Sequence, residues 1–343
     1  MPALCPSVAR AGANRWTVDG PPDSVNSVKV DLGEPGTVYA GGGGVWKRSG
    51  DGSEWESVGP EPYLARVAAV APPGHVYATD TTVLANAFAN VLWESANGGA
   101  AWTLLRAGDD QTSYSVAVDP FDPGIVYLVT EHSEGLVTTS GLERIGGSGT
   151  WTSPIDGQPV TFYDVVPDPR TEGTLFVTSN LGIFKTTDAG ATWDSLNDSM
   201  RAVRTLVVDP SAPSILYAAV SAPPGEGGVY KSVDGGATFG RSNAGLVVAD
   251  NAGPLVADAQ HPGRLFVSTR GGVYQSDDFG ASWRGIDEGL LDYFVFDLAI
   301  DPSGAHLYAA TEIGAFEYTI APRESVLLPQ TETRKPVTVR ERP

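Results

Sequence analysis

Ser276-Asp-Asp-Phe-Gly280-Ala-Ser-Trp283 is the stretch whose reading decides the fold. It follows the run Gly272-Val-Tyr-Gln275, whose alternation of apolar and polar residues suits a half-buried β-strand. The skeleton Ser276, Asp278, Gly280, Trp283 then has the chemistry of a tight corner. An Asp side chain can accept from nearby backbone N–H groups, glycine can adopt positive φ, and the aromatic opens the next strand with a large apolar surface to bury. Three further copies stand in the chain: Thr186, Asp188, Gly190, Trp193; Ser232, Asp234, Gly236, Phe239; and Ser95, Asn97, Gly99, Trp102. Phe239 replaces the Trp in one and Asn97 the Asp in another. Such a corner reads as scaffold.

Working outward, each corner belongs to a larger repeat. An apolar-aromatic-small triplet recurs seven times, as Val38-Tyr39-Ala40, Val76-Tyr77-Ala78, Val126-Tyr127-Leu128, Leu175-Phe176-Val177, Leu216-Tyr217-Ala218, Leu265-Phe266-Val267 and Leu307-Tyr308-Ala309. The anchoring aromatic also falls seven times, at Trp16, Trp55, Trp102, Trp151, Trp193, Phe239 and Trp283. Six steps carry it from position 16 to position 283, about 45 residues each, the length of one four-stranded propeller blade. The expectation is an all-β chain, a single seven-bladed β-propeller of four-stranded antiparallel blades. Trp16 precedes the first complete set of strands and the last set ends without an anchor. Residues 15–19 are therefore expected to become the outer strand of the last blade, closing the ring and leaving no long open sheet edge.

The same reading divides the chain into an N-terminal extension (1–13), the propeller (14–320) and a C-terminal tail (321–343) expected to be flexible or a linker. The tail carries five basic residues against three acidic ones, whereas the whole chain has 22 Lys and Arg against 41 Asp and Glu, a net charge of −19. An acidic surface disfavours nucleic-acid phosphates and anionic membranes. One cysteine, Cys5, excludes an intrachain disulfide, no stretch approaches a membrane span, and residues 1–15 lack the apolar run of a signal peptide. Asp-Pro pairs such as Asp119-Pro120, Asp209-Pro210 and Asp301-Pro302 read as turn starts. His75 and His306, just before the triplet strand, read as turn residues. Residues 139–150 replace a corner with a longer Gly-rich loop, and 79–91 and 221–227 read as insertions.

The corner residues Ser276, Asp278, Gly280 and Trp283 and their copies resemble the Asp-box (BNR) repeat of β-propellers. That superfamily includes sialidases, sortilin-type receptor ectodomains, xyloglucan-cleaving glycosidases and a photosystem II assembly factor. The resemblance spans nearly the whole chain and implies an extracytoplasmic setting, secreted, periplasmic or at the cell surface. It points to no particular member. The Phe/Tyr-Arg-Ile-Pro stretch of the sialidases is missing, and the xyloglucan-cleaving members work in a cleft between two propellers, where one is expected here.

No zinc-protease, phosphate-loop, serine-hydrolase or EF-hand signature occurs, so no cofactor or metal is expected. One constellation remains, at the mouth of the central channel, where the first strand of every blade begins. Aligned on their terminal Asp, these strands give one column of Ser27, Val67, Ser115, Asp164, Thr205, Pro254 and Asp297. The column before it is Asn26, Arg66, Tyr114, Tyr163, Arg204, Gly253 and Phe296. Asp164 and Asp297 would face each other across the ring as a candidate catalytic pair, as inverting glycoside hydrolysis uses two carboxylates. Arg66, Arg204, Tyr114, Tyr163 and Asn26 would bind an anionic or sugar ligand. Two readings stand: a non-catalytic scaffold binding a protein or glycan partner at the mouth or loop face, as a monomer or a module of a larger assembly, and a glycosidase or polysaccharide lyase using the two carboxylates. In either reading these residues could equally line a water-filled channel.

Overall fold

The computed structural model describes residues 14–321 except 22–23, 51, 60–65, 72–73, 85–86, 110, 135–136, 148–159, 198–199, 224 and 291–293. The expected extension 1–13, all but the first residue of the tail, and the anchor Trp151 lie outside the described residues. The chain is all-β. Seven antiparallel sheets follow one another, each a meander whose first strand lies innermost. Blade 4 is typical: Phe162–Pro167, Leu175–Ser179, Gly182–Thr186 and Asp194–Asn197 pair in sequence order. Six blades show four strands. Blade 3 shows three among the described residues, Gln111–Val118, Val126–Glu134 and Val137–Ile145.

The corners form as their residue types dictate. Ser276 Oγ donates to Asp278 Oδ1 (2.8 Å) and accepts the Gly280 N–H (2.9 Å), while Asp278 accepts the N–H and hydroxyl of Ser282 (2.8 and 2.6 Å). Thr186–Asp188–Gly190 and Ser232–Asp234–Gly236 repeat the network, and Asn97 stands in for Asp by accepting the Ala101 N–H at 2.8 Å. The backbone bends through positive φ at Gly190 (89°) and Gly280 (78°), the region where a Cβ is penalised.

The aromatic does more than bury itself. Four anchoring indole N–H groups donate to a backbone carbonyl of the preceding blade: Trp283 to Ser242 (2.6 Å), Trp102 to Val58 (2.6 Å), Trp55 to Asp19, and Trp16 to Ile286 (2.5 Å). The apolar cores lie in the same places. Seven clusters of buried residues each combine two adjacent blades, for example Phe266 and Val273 of blade 6 with Leu298, Leu307 and Phe316 of blade 7. A four-stranded sheet of this size cannot bury both faces alone, so every blade depends on its neighbours.

The ring closes as the repeat count requires. Trp16–Val18 pairs antiparallel with the last strand, in register Trp16↔Tyr318, Thr17↔Glu317, Val18↔Phe316. Trp16 is 2% exposed, in the core shared by blades 6 and 7. Across the seam, Arg48 of blade 1 pairs with Asp19 and with Glu317 (3.1 Å), and donates to the Tyr308 hydroxyl (3.0 Å). His306 Nδ1 lies 2.5 Å from Glu317 Oε1. His75 likewise opens a second strand and faces Glu94 at 3.1 Å. Both histidines are therefore strand residues set against a glutamate, where the sequence suggested turns. The Asp-Pro aspartates do hold turns: Asp119 accepts the N–H groups of Phe121 and Asp122 and the Tyr127 hydroxyl (2.6 Å).

Two predictions follow from this architecture. Trp16→Ala removes a fully buried indole and its bond to Ile286, and is expected to cost about 3–5 kcal/mol in chemical denaturation; a loss below about 1 kcal/mol would contradict the closure. The hydroxyl and N–H of Thr192 or Thr238, with Thr186 or Ser232, hold the Asp188 and Asp234 carboxyls down to about 2, and the Ser282 donors lower Asp278. These groups stabilise the fold above the ordinary Asp value and lose that contribution as pH falls toward 2. The thermal midpoint should therefore drop between about pH 4 and pH 2. The triple variant Asp188→Asn, Asp234→Asn, Asp278→Asn, imitating Asn97, should flatten that acid limb in a calorimetric pH series.

Candidate functional site: the channel mouth

The inner strands build a collar. Where they face the residue just after the second-strand triplet, their side chains reach across to the next blade. Ser27 Oγ accepts the Val67 N–H (2.9 Å), Ser115 Oγ the Val165 N–H (3.5 Å), and Asp297 Oδ2 the Val28 N–H (3.2 Å) across the closing seam. Register places Ser27, Ser115, Asp164, Thr205 and Asp297 in this collar, opposite Gly41, Val129, Thr178, Ala219 and Ala310.

Register also corrects one alignment. In blade 2 the residue opposite Thr79, which follows the triplet Val76-Tyr77-Ala78, is Arg66. Val67 pairs with Ala78, and the register break falls between Val67 and Ala69. Arg66 therefore occupies the same column as the carboxylates. Four other members of the second column share a different feature. Tyr114, Tyr163, Arg204 and Phe296 are each skipped by the ladder, at breaks between Ser113 and Ser115, Phe162 and Asp164, Val203 and Thr205, and Val295 and Asp297. A bulge re-aims its side chain relative to the strand. The side chain of Tyr114 lies outside the described residues. Asn26 accepts the Ser27 hydroxyl (3.1 Å) and does not line the cavity.

A cavity of about 830 Å³ opens at the mouth, lined by Lys29, Arg66, Asp164, Arg204 and Asp297 among others, with Tyr163, Phe294 and Phe296. Both carboxylates line it and both are engaged. Asp297 takes the Lys29 ammonium at 2.5 Å, the Val28 N–H at 3.2 Å and the Leu298 N–H at 3.0 Å. Asp164 accepts the Ser115 hydroxyl at 2.7 Å and the Thr205 hydroxyl at 2.8 Å, one from each neighbouring blade. Burial pushes the Asp164 carboxyl above the usual range, opposed by those two hydroxyls and by the Lys29 and Arg66 cations. The Arg204 guanidinium lies 4.3 Å from the centre of the Tyr163 ring, a cation–π stack. Phe294 and Phe296 stand beside the cavity 63% and 38% exposed, their ring centres 5.2 Å apart.

Sequence reasoning missed Lys29 and Phe294. Strand alternation could have found Lys29, two residues beyond Ser27 and so on the same side of its strand. Phe294 precedes the strand Val295–Ile300 and had no repeat to mark it. Among the described residues no group of three His, Cys, Asp or Glu could hold a metal ion, and no helix is long and apolar enough to cross a membrane.

Comparison with known proteins agrees with this architecture. No family model matches the chain. A xyloglucanase of Hypocrea jecorina (strain QM6a) is 25% identical over 214 residues, 58% of this chain and 25% of the relative, so the match takes in about a quarter of that protein's length. Among solved structures, a Niastella koreensis GH74 enzyme superposes with a TM-score of 0.67 at 19% identity, over 87% of this chain and 52% of the other. An ancestral GH74 enzyme gives 0.65 at 16% identity, over 90% and 46%. YCF48 bound to D1 peptide gives 0.62 at 11% identity, over 91% of this chain and 96% of that one. At these identities the structural likenesses establish the fold.

One prediction tests the collar. Asp297→Ala leaves the Lys29 ammonium and the Val28 N–H without their acceptor, at an expected cost of about 2–4 kcal/mol by urea unfolding. Asp297→Asn keeps an oxygen for Val28 and should cost about half as much. Equal stability of all three proteins would remove the collar role.

Proposed function

We propose that this chain is a non-catalytic propeller scaffold that binds a partner, protein or glycan, at its channel mouth. One observation carries the reading: among the described residues, both carboxylates lining the cavity are engaged by the fold. Asp297 has three donors and Asp164 two. A general base needs a lone pair aimed at a water, and a general acid needs its proton aimed at the leaving group. Here Lys29, backbone amides and hydroxyls take up much of that capacity and fix both carboxyls to the fold. The likeness to YCF48 bound to D1 peptide, over 96% of that chain, supports a single propeller of this size acting as a peptide-binding scaffold. The corner repeats keep their resemblance to the Asp-box, which is itself scaffold, and an extracytoplasmic setting accords with the likeness to GH74 enzymes.

A second reading is favoured by the xyloglucanase match and by two carboxylates lining one cavity. In it, Asp164, whose carboxyl is raised by burial, is the acid, Asp297 the base, and Arg66, Arg204, Tyr114 and Tyr163 bind the sugar. A glycan array run beside a reducing-sugar assay on xyloglucan separates the two. The scaffold reading expects binding without turnover. Turnover that falls at least about a hundredfold in both Asp164→Asn and Asp297→Asn would replace it with the hydrolase.

A further inference from the structure

The mouth is not symmetric, and its asymmetry indicates what enters. Blades 2 and 3 carry much longer hairpins than the rest: His75–Leu84 with Ala87–Ser95, and Val126–Glu134 with Val137–Ile145. Equivalent strands elsewhere have four to six residues. The first strand of blade 3 lengthens with them, pairing out to Gln111↔His132. The long hairpins extend on the mouth face, because the second strand ends where the inner strands begin; Ser221, just past that strand in blade 5, lines the cavity with Thr161 and Tyr163. Residues 79–91, read from sequence as an insertion, are thus largely a raised wall. Across the ring, blade 6 has a hairpin of ordinary length, Leu265–Thr269 with Gly272–Ser276, and so lacks such a wall. Its inner strand has only three residues, Leu255–Ala257, and Gly253 and Pro254 line the cavity ahead of it.

The opening over blade 6 has different flanks. On the blade 5 side stands Arg204, exposed, over the Tyr163 ring, and forming no ion pair among the described residues. On the blade 7 side stand Phe294 and Phe296, tilted 56° to each other, in a chain where large apolar side chains are otherwise mostly buried. Among the described residues the charged groups lining the cavity are Lys29, Arg66 and Arg204 with the carboxylates Asp164 and Asp297, and Arg204 is the exposed cation. An exposed guanidinium at such a mouth offers a partner to an anionic group.

We infer that the mouth takes an extended acidic peptide segment that enters over blade 6, sets a side-chain carboxylate on Arg204 and packs a neighbouring apolar side chain on Phe294 and Phe296. A planar guanidinium held by an aromatic ring is preorganised for a carboxylate, and the tilted phenyl pair gives the apolar neighbour a pocket edge. The inference rests on the mouth being the binding site, as proposed above, and adds the chemical class of the partner.

The test uses the full chain and fluorescein-labelled, C-terminally amidated hexapeptides in fluorescence anisotropy. The acidic probe has the sequence Gly-Ser-Phe-Glu-Asp-Leu; its uncharged counterpart has Gln and Asn in place of Glu and Asp. The acidic probe should bind at least about tenfold more tightly than the counterpart, and its affinity should fall as salt is raised. Arg204→Ala and, separately, Phe294→Ser should each weaken it at least about fivefold with the thermal midpoint unchanged, since both side chains are exposed. Equal binding of the two probes, or insensitivity to Arg204→Ala, overturns the inference. Cellotetraose provides the third arm. If it binds in a manner sensitive to Phe294→Ser and the acidic probe does not bind, the mouth stands as a binding site and the acidic-peptide assignment falls. If no probe binds, both fall.

Discussion

The structure depends on one repeated contact, an indole N–H that leaves its own blade and donates to a backbone carbonyl of the one before. Trp283 to Ser242, Trp102 to Val58, Trp55 to Asp19 and Trp16 to Ile286 are the same bond at four places on the ring. Each removes a polar donor from an otherwise apolar ring by giving it a partner, so the aromatic can be buried at no unsatisfied cost. Each also fixes how far one sheet is rotated against the next. Since the apolar cores lie between blades, that rotation determines whether seven sheets meet end to end. Two of the four bonds involve the N-terminal strand, one as donor from Trp16 and one as acceptor at Asp19. The ring is thereby tied on both sides of its seam.

The mouth inherits its properties from this closure. Asp297 belongs to the last blade and accepts from Val28 and Lys29 of the first, so the same residue that borders the cavity helps to hold the seam. Asp164 links blades 3 and 5 through Ser115 and Thr205. Carboxylates placed in this way stiffen a collar. What they leave for a visitor is the re-aimed bulge residues and the exposed phenyl rings, which are recognition chemistry.

Much of this was legible in the sequence, for a physical reason. A repeat writes the same local solution seven times, so the anchor at Trp16 with no strand set before it and the last blade with no anchor after it could only be halves of one unit. The corners were equally readable, because Ser276, Asp278 and Gly280 act through bonds within eight residues. The site was legible only in outline. Bulges leave no mark in a sequence, so Tyr163, Arg204 and Phe296 were placed in a column without the reason for it. Arg66 was set one position away from its register because blade 2 breaks its ladder at a different point and lacks the Asp that ends the other inner strands. The contacts of Lys29, His75 and His306 were missed because their acids, Asp297, Glu94 and Glu317, lie on other strands.

Closure by the two chain ends is the claim on which the rest stands, and native-state hydrogen exchange addresses it most directly. The backbone amides of residues 16–18 should be protected to the same degree as those of 316–318, and both sets should open together with the global unfolding of the ring as denaturant is added. Exchange of residues 16–18 at the rate of an unstructured chain, while 316–318 stay protected, would contradict the account.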